Sequence, residues 1–168
     1  MIQQNPASRN RRSFLSLCAM GVVAWRLAAM DRPAASAATP VRFTLSDAEW
    51  RKRLSPQAYA VLRRAGTEVP WSSPLNSEHR RGRFLCGGCA LPLYASATKF
   101  DSGTGWPSFY DHLPRAITTL GDSSLGFQRT EVRCARCDSH LGHVFNDGPR
   151  PTGLRYCMNG VAMRFKSA

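Results

Sequence analysis

From residue 80 onward the chain carries five cysteines, and spacing alone divides them into two kinds. Cys86-Gly87-Gly88-Cys89 and Cys134-Ala135-Arg136-Cys137 are two C-x-x-C pairs with forty-four residues between them. Two residues between cysteines let both sulfurs face one point from a tight turn. Two such turns supply the four thiolates that Zn²⁺ takes in a tetrahedral site. Gly87 and Gly88 are expected to provide positive φ angles in the first knuckle. A redox dithiol and a pair of disulfides are the competing readings. No βαβ pattern surrounds either pair, as a thioredoxin-like motif would require.

The fifth, Cys157, sits in GLRYCMNG with no partner at any recognisable spacing. A buried inert filler is the ordinary fate of such a residue. Its neighbours argue for chemistry. Arg155 and Asn159 lie two residues to either side, so on a strand the three side chains share a face. A guanidinium favours thiolate over thiol, and the amide is a hydrogen-bond donor. Upstream, His140-Leu141-Gly142-His143 brings two imidazoles just past the second knuckle, and imidazole both gives and takes protons near neutral pH.

These residues need elements to position them. Ser46 and Glu49 form a capping box for a short helix through Arg53. Ser55-Pro56 starts a second helix, with Tyr59, Val61 and Leu62 on its apolar side and Gly66 as its stop. Residues 67–76 read as an ordered loop. Beyond Arg80, short apolar runs alternate with turn residues: Phe84-Leu85, Leu91 to Tyr94, Phe127 to Arg133, and Tyr156 to Phe165. This pattern predicts a mainly β, mostly antiparallel domain with its helices at the front.

The first forty residues are of another character. A basic start is followed by an apolar run from Phe14 to Trp25, too short to span a bilayer as a helix. Arg11-Arg12 precede Ser13-Phe14-Leu15, as in a bacterial twin-arginine signal, and Ala35-Ser36-Ala37 offers a cleavage site. The expected organisation is a signal over 1–37, a linker over 38–44 and one domain over 45–168, with export to the periplasm. Cys18 follows the bulky Leu17, which suits no lipoprotein cleavage site, and leaves with the signal. Folded export would let zinc be loaded in the reducing cytoplasm. The formal net charge is +12, and loss of residues 1–37 leaves +8. A basic face attracts nucleic acid but is equally a solvated surface; the latter is expected, with no nucleic acid partner.

The segments FDSGTGWPSF (100–109), RCARCDSHLGHVFNDGP (133–149) and TGLRYCMNGVAMRF (152–165) resemble the methionine-R-sulfoxide reductases, the MsrB family. The likeness runs from about Leu45 to Phe165. It implies a β fold of two antiparallel sheets with short N-terminal helices and a structural zinc on Cys86, Cys89, Cys134 and Cys137. It implies that Cys157 attacks the sulfur of methionine-R-sulfoxide, in proteins or peptides, and becomes a sulfenic acid. His140, His143 and Asn159 match positions that bind or activate the sulfoxide oxygen. Trp106 matches a tryptophan that packs on the substrate methyl group, Arg155 an arginine close to the cysteine, and Phe145 an aromatic near the same pocket. Many members carry a resolving cysteine where this chain has Thr104. Threonine forms no disulfide, so a one-cysteine cycle is expected, with reduction by a thioredoxin-like protein or a small thiol. A monomer is expected. Two other readings compete: a basic zinc module contacting nucleic acid, and an inactive relative used as a binding protein.

Overall fold

A computed structural model describes residues 40–168. The expected signal, with Arg11, Arg12, Cys18 and the Ala37 cleavage site, lies outside the described residues. Among those described, no helix is long and apolar enough to cross a membrane.

Helix α1 (Asp47–Arg53) begins with the expected capping box: the Glu49 amide donates to Ser46 Oγ at 3.3 Å, and the Ser46 amide donates to Glu49 Oε2 at 2.8 Å. Helix α2 (Pro56–Arg64) starts at Ser55, whose hydroxyl accepts from the Ala58 amide. It buries Tyr59, Val61 and Leu62. Its stop falls one residue before the expected glycine. Ala65 takes the left-handed conformation at φ 53°, and Gly66 bonds back to the Ala60 carbonyl at 3.0 Å.

The strands are β1 (Gly82–Cys86), β2 (Pro92–Ala95), β3 (Lys99–Phe100), β4 (Ser108–Phe109), β5 (Ile117–Asp122), β6 (Arg129–Cys134), β7 (His140–Phe145), β8 (Arg155–Met158) and β9 (Met163–Ser167). They form a three-stranded sheet in the order β2-β1-β9 and a six-stranded sheet in the order β3-β4-β8-β7-β6-β5. Every pairing is antiparallel. The mainly β expectation with helices at the front is therefore what the chain adopts.

Aromatic side chains join the sheets. Tyr94 of β2 stacks on Phe109 of β4 at 4.3 Å between centroids, and Phe84 of β1 meets the same ring edge-on at 4.9 Å. Tyr94 Oη donates to Met158 Sδ at 3.0 Å. All four residues are fully buried, and burial of each such side chain stabilises by about 1.5–3 kcal/mol. This weld lies directly behind Cys157, whose neighbours Tyr156 and Met158 face inward.

Two expectations about strands need correction. The single strand expected from Tyr156 to Phe165 is two strands in different sheets, separated by a 3₁₀ turn over Gly160–Ala162. The amides of Gly160 and Val161 are captured by the Glu68 carboxylate at 2.6 and 2.8 Å, so they cannot serve a β ladder. The strand expected from Phe127 starts instead at Arg129. Phe127 is exposed in the β5–β6 connection, while Val132 is fully buried.

Candidate active site and zinc centre

The two knuckles are built alike. In each, the amide of the first cysteine donates to the carbonyl five residues on: Cys86 to Leu91 at 2.8 Å, Cys134 to Ser139 at 2.9 Å. In each, the residue after the second cysteine turns left-handed and its amide closes on the first cysteine's carbonyl at 2.9 Å. These residues are Ala90 (φ 62°) and Asp138 (φ 56°). The positive φ expected at Gly87 and Gly88 is therefore taken by Ala90. Those glycines serve close approach instead, to the Ala162 carbonyl and to the Trp50 ring.

The four buried Sγ atoms lie within 4.8 Å of one another. Cys86–Cys137 and Cys89–Cys134 approach to 3.6 Å. A tetrahedron with Zn–S bonds of about 2.3 Å has edges of about 3.8 Å, so the set fits zinc. Arginines wrap the outside. Arg53 Nε donates to the Gly88 carbonyl at 2.8 Å, Arg63 Nη1 to Cys137 O at 3.1 Å, and Arg136 Nη1 to Cys89 O at 3.2 Å. Four thiolates on one Zn²⁺ leave two negative charges, which these guanidiniums offset. Part of the basic excess is thus committed to the metal's surroundings rather than to a free face.

Cys157 stands apart, half-buried on β8. Its cross-strand partners are Ser108 of β4 and His143 of β7. Gly142 allows this closeness, since a Cβ there would run into the Cys157 carbonyl. A cavity of about 130 Å³ opens over the thiol, lined by Thr67, Trp106, Arg129, Gly142, His143, Phe145, Cys157 and Asn159. It is far smaller than sites for drug-sized ligands, at roughly 300–1,000 Å³, and suits a group the size of a thioether. A larger cavity, about 650 Å³, runs along β1, β2 and β9 beside Arg81, Arg83 and Lys166. No thiol or imidazole lines it.

Of the expected site residues, Trp106, His143, Phe145, Cys157 and Asn159 meet at this cavity. Arg155 stands beside it. Its Nε and Nη2 are engaged by Asp147 at 2.8 and 2.7 Å, and its guanidinium lies 4.5 Å over the Phe145 ring. His140 is outside the lining. It is buried behind His143, with ring centroids 5.4 Å apart. Its Nδ1 meets Glu131 Oε1 at 2.7 Å, and its buried Nε2 has no partner among the described residues. Burial outweighs Glu131 and pulls the His140 pKa down, which keeps this ring neutral.

Asn159 is fixed at both ends. Its Oδ1 accepts from the Glu68 amide at 2.9 Å, and its Nδ2 donates to the Leu141 carbonyl at 3.1 Å. The Trp106 indole donates to the Glu68 carbonyl at 3.2 Å. Glu68, absent from the sequence reading, therefore holds the tryptophan, the asparagine and the turn after β8 together. Its position three residues after Ala65, in GTEVP, gave no chemical signal.

The electrostatics at Cys157 differ from the simple expectation of a guanidinium-stabilised thiolate. Burial pushes the Cys157 thiol up, and this outweighs the opposing influences of Thr104, Arg155 and Ser108. Thr104 Oγ1 lies 3.8 Å from Sγ. It belongs to a hydroxyl chain in which Ser102 Oγ meets Thr104 Oγ1 at 2.8 Å and Ser108 Oγ at 2.7 Å. At rest the free site holds a thiol, surrounded by hydroxyls that can hydrogen-bond a developing anion.

A single nucleophilic thiol and an imidazole in a small aromatic cleft, on a β fold held by a four-thiolate zinc centre, define a thiol-dependent oxidoreductase. The SelR domain family matches residues 54–167, and the chain belongs to this family. It is 57% identical over 123 residues to the peptide methionine sulfoxide reductase MsrB of Leifsonia xyli subsp. xyli, covering 72% of this chain and 88% of that protein. It is 54% identical to the protein of the same name from Thioalkalivibrio sulfidiphilus, covering 74% and 91%. For that of Agrobacterium fabrum the identity is 50%, covering 76% and 96%.

Proposed function

We infer from the family and the site that the chain reduces methionine-R-sulfoxide to methionine. The observation that carries this reading is that Cys157, the one cysteine of the described residues outside the metal cluster, opens into the thioether-sized cavity. The Cys157 thiol loses its proton, and its sulfur attacks the sulfoxide sulfur while a proton reaches the sulfoxide oxygen. Two electrons pass from Cys157 to the methionine sulfur. The oxygen ends on Cys157 as a sulfenic acid, and methionine leaves.

Trp106 and Phe145 supply apolar walls for the S-methyl group. His143 is the proton carrier at the thiol. Asn159 holds the turn after β8 against Leu141 and Glu68, and Arg155 braces Phe145. His140, neutral and buried, backs His143. The zinc takes no part in the chemistry; it would hold β1 and the end of β6 together through its four thiolates. With Thr104 at the position next to Sγ, two external thiols regenerate the enzyme, one forming a mixed disulfide with release of water and the second resolving it. A thioredoxin-like protein or a small thiol serves. Protein or peptide substrate, export by the twin-arginine route with cleavage near Ala37, a 45–168 domain and a monomeric state complete the proposal. The basic arginines engaged with the knuckles and with aromatic rings weigh against the nucleic acid alternative.

The test is an assay of residues 38–168 with each epimer of a methionine sulfoxide peptide and dithiothreitol. Turnover of the R epimer alone, lost in Cys157→Ser, is expected. Unchanged turnover in Cys157→Ser, or no turnover of either epimer by the unaltered protein, would defeat the reading.

A further inference from the structure

The connection between β5 and β6 is exposed, Leu125 and Phe127 included, and nothing in its composition marks it as part of a reaction centre. Yet the last residue of β5, just before it, reaches the imidazole beside the nucleophile. Asp122 Oδ2 lies 2.8 Å from His143 Nε2, and the same oxygen meets Arg129 Nη2 at 2.6 Å. His143 and Asp122 are largely shielded, with side-chain exposures of 13% and 16%. Asp122 and Arg129 face each other in register across the β5–β6 pair. His143 is in turn the cross-strand partner of Cys157.

These placements decide which ring nitrogen is available. An ionised carboxylate only accepts hydrogen bonds. Bonds from Ser124, with help from His143 and Arg129, hold the Asp122 carboxyl well below the usual range, so it is ionised at neutral pH. His143 must therefore donate Nε2–H to it. In a neutral imidazole the lone pair then sits on Nδ1, which makes no hydrogen bond among the described residues. Nδ1 is also the ring nitrogen nearer the backbone, and His143 and Cys157, opposite each other across β7 and β8, line the same cavity.

We propose that Asp122, pinned by Arg129, is a positioning residue that holds His143 with its proton on Nε2 and so leaves Nδ1 to take the Cys157 proton and pass it to the sulfoxide oxygen. This rests on the reaction inferred above and adds the route of its proton. The S–H bond of Cys157 breaks and an N–H bond forms at Nδ1. As the Cys157 sulfur bonds to the sulfoxide sulfur, that proton moves on to the oxygen, and Nδ1 returns to its lone-pair state. No proton is gained or lost overall. While the imidazolium exists, Asp122 stabilises it, as a buried carboxylate does for histidine in a hydrolase triad. The other charged or titratable groups around His143 are Glu131 opposite it on β6, His140 on its own strand, Arg129 and Cys157. Asp122 is the carboxylate that bonds the His143 ring; Glu131 is engaged by His140 and Arg133.

Asp122→Asn keeps the side chain's shape but can donate to the ring and favour the opposite tautomer. The expected result is a fall of roughly 10²–10³-fold in the single-turnover oxidation of Cys157 by a methionine-R-sulfoxide peptide, less than the ~10⁴ of a fully buried triad aspartate. KM should change by less than about threefold, zinc content should be unchanged, and Asp122→Glu should recover part of the rate. A purely structural role would instead lower the melting temperature without recovery by Glu. Nitrogen-15 shifts of His143 in the unaltered protein provide a reading that needs no variant: Nε2 protonated and Nδ1 bare. A wild-type rate in Asp122→Asn, or a proton on Nδ1 in the unaltered protein, overturns the proposal. If the unaltered protein fails to reduce the sulfoxide at all, the reaction is wrong, while the tautomer measurement still judges the arrangement.

Discussion

The four thiols at the knuckles and the one on β8 are the same functional group under opposite rules. At the knuckles, short-range spacing crowds the sulfurs together, arginines bind the carbonyls around them, and all four are closed from solvent. On β8 the sulfur is alone, half-open, and raised in pKa by burial. The first arrangement is stable only with a cation to share the charge. The second is stable as a neutral thiol and becomes an anion only when something takes its proton. The difference shows that the surroundings, more than the cysteine itself, decide between structural and reactive use.

The comparison can be broken most forcefully by exchanging one sulfur from each set for oxygen. Cys134→Ser should lose zinc and fail to fold at ordinary temperature. Structural zinc in small domains is worth about 10–16 kcal/mol, as much as the whole stability of about 5–15 kcal/mol typical of a domain. Cys157→Ser should keep zinc and melt within a few degrees of the unaltered protein while losing sulfoxide reduction. Metal analysis with calorimetry on both variants decides it; a metal-free but stable Cys134→Ser protein would show that the cluster is not what holds the fold.

Thr104→Cys offers a finer test. The Thr104 oxygen is 3.8 Å from Cys157 Sγ, and a disulfide needs about 2.05 Å, a gap that a side-chain rotation can close. After one turnover without reductant, the variant should hold a 104–157 disulfide, and the unaltered protein a sulfenic acid on Cys157. Mass spectrometry of trapped peptides distinguishes these outcomes. The smallest effect is on pH. Because the thiol is raised, its alkylation by iodoacetamide in the free enzyme should be slow at pH 7 and keep climbing beyond the ordinary thiol range near ~8.5. A rate that levels off below pH 7 would mean the anion is already present.

How much of this could be read beforehand follows the range of each interaction. The knuckles were legible because two residues of separation encode their geometry. The capping box at Ser46 and Glu49 was legible for the same reason. Cys157, His143 and Trp106 were recognisable by type and by family likeness, but not their meeting at one small cavity, which depends on the register of β4, β7 and β8. Asp122 and Glu68 were invisible: one arrives across a hairpin and the other spans ninety-two residues to Gly160. Strand β5 also gave no signal. It is an edge strand whose middle residues are all exposed, so it has no alternation to detect. Gly87 and Gly88 misled because a glycine needed for close approach looks, in sequence, like a glycine needed for a turn.

The break between β8 and β9 ties the two thiol environments mechanically. Only residues 159–162 separate the nucleophile's strand from β9. Strand β9 is zipped along β1, which ends in Cys86, and the Gly87 amide grips the Ala162 carbonyl at 2.7 Å. Cys157 is thus tethered downstream to the very knuckle that grasps the cation. An agent that strips or oxidises that knuckle would slacken the tether and disarm the nucleophile without ever touching it, much as a blown fuse silences a distant lamp.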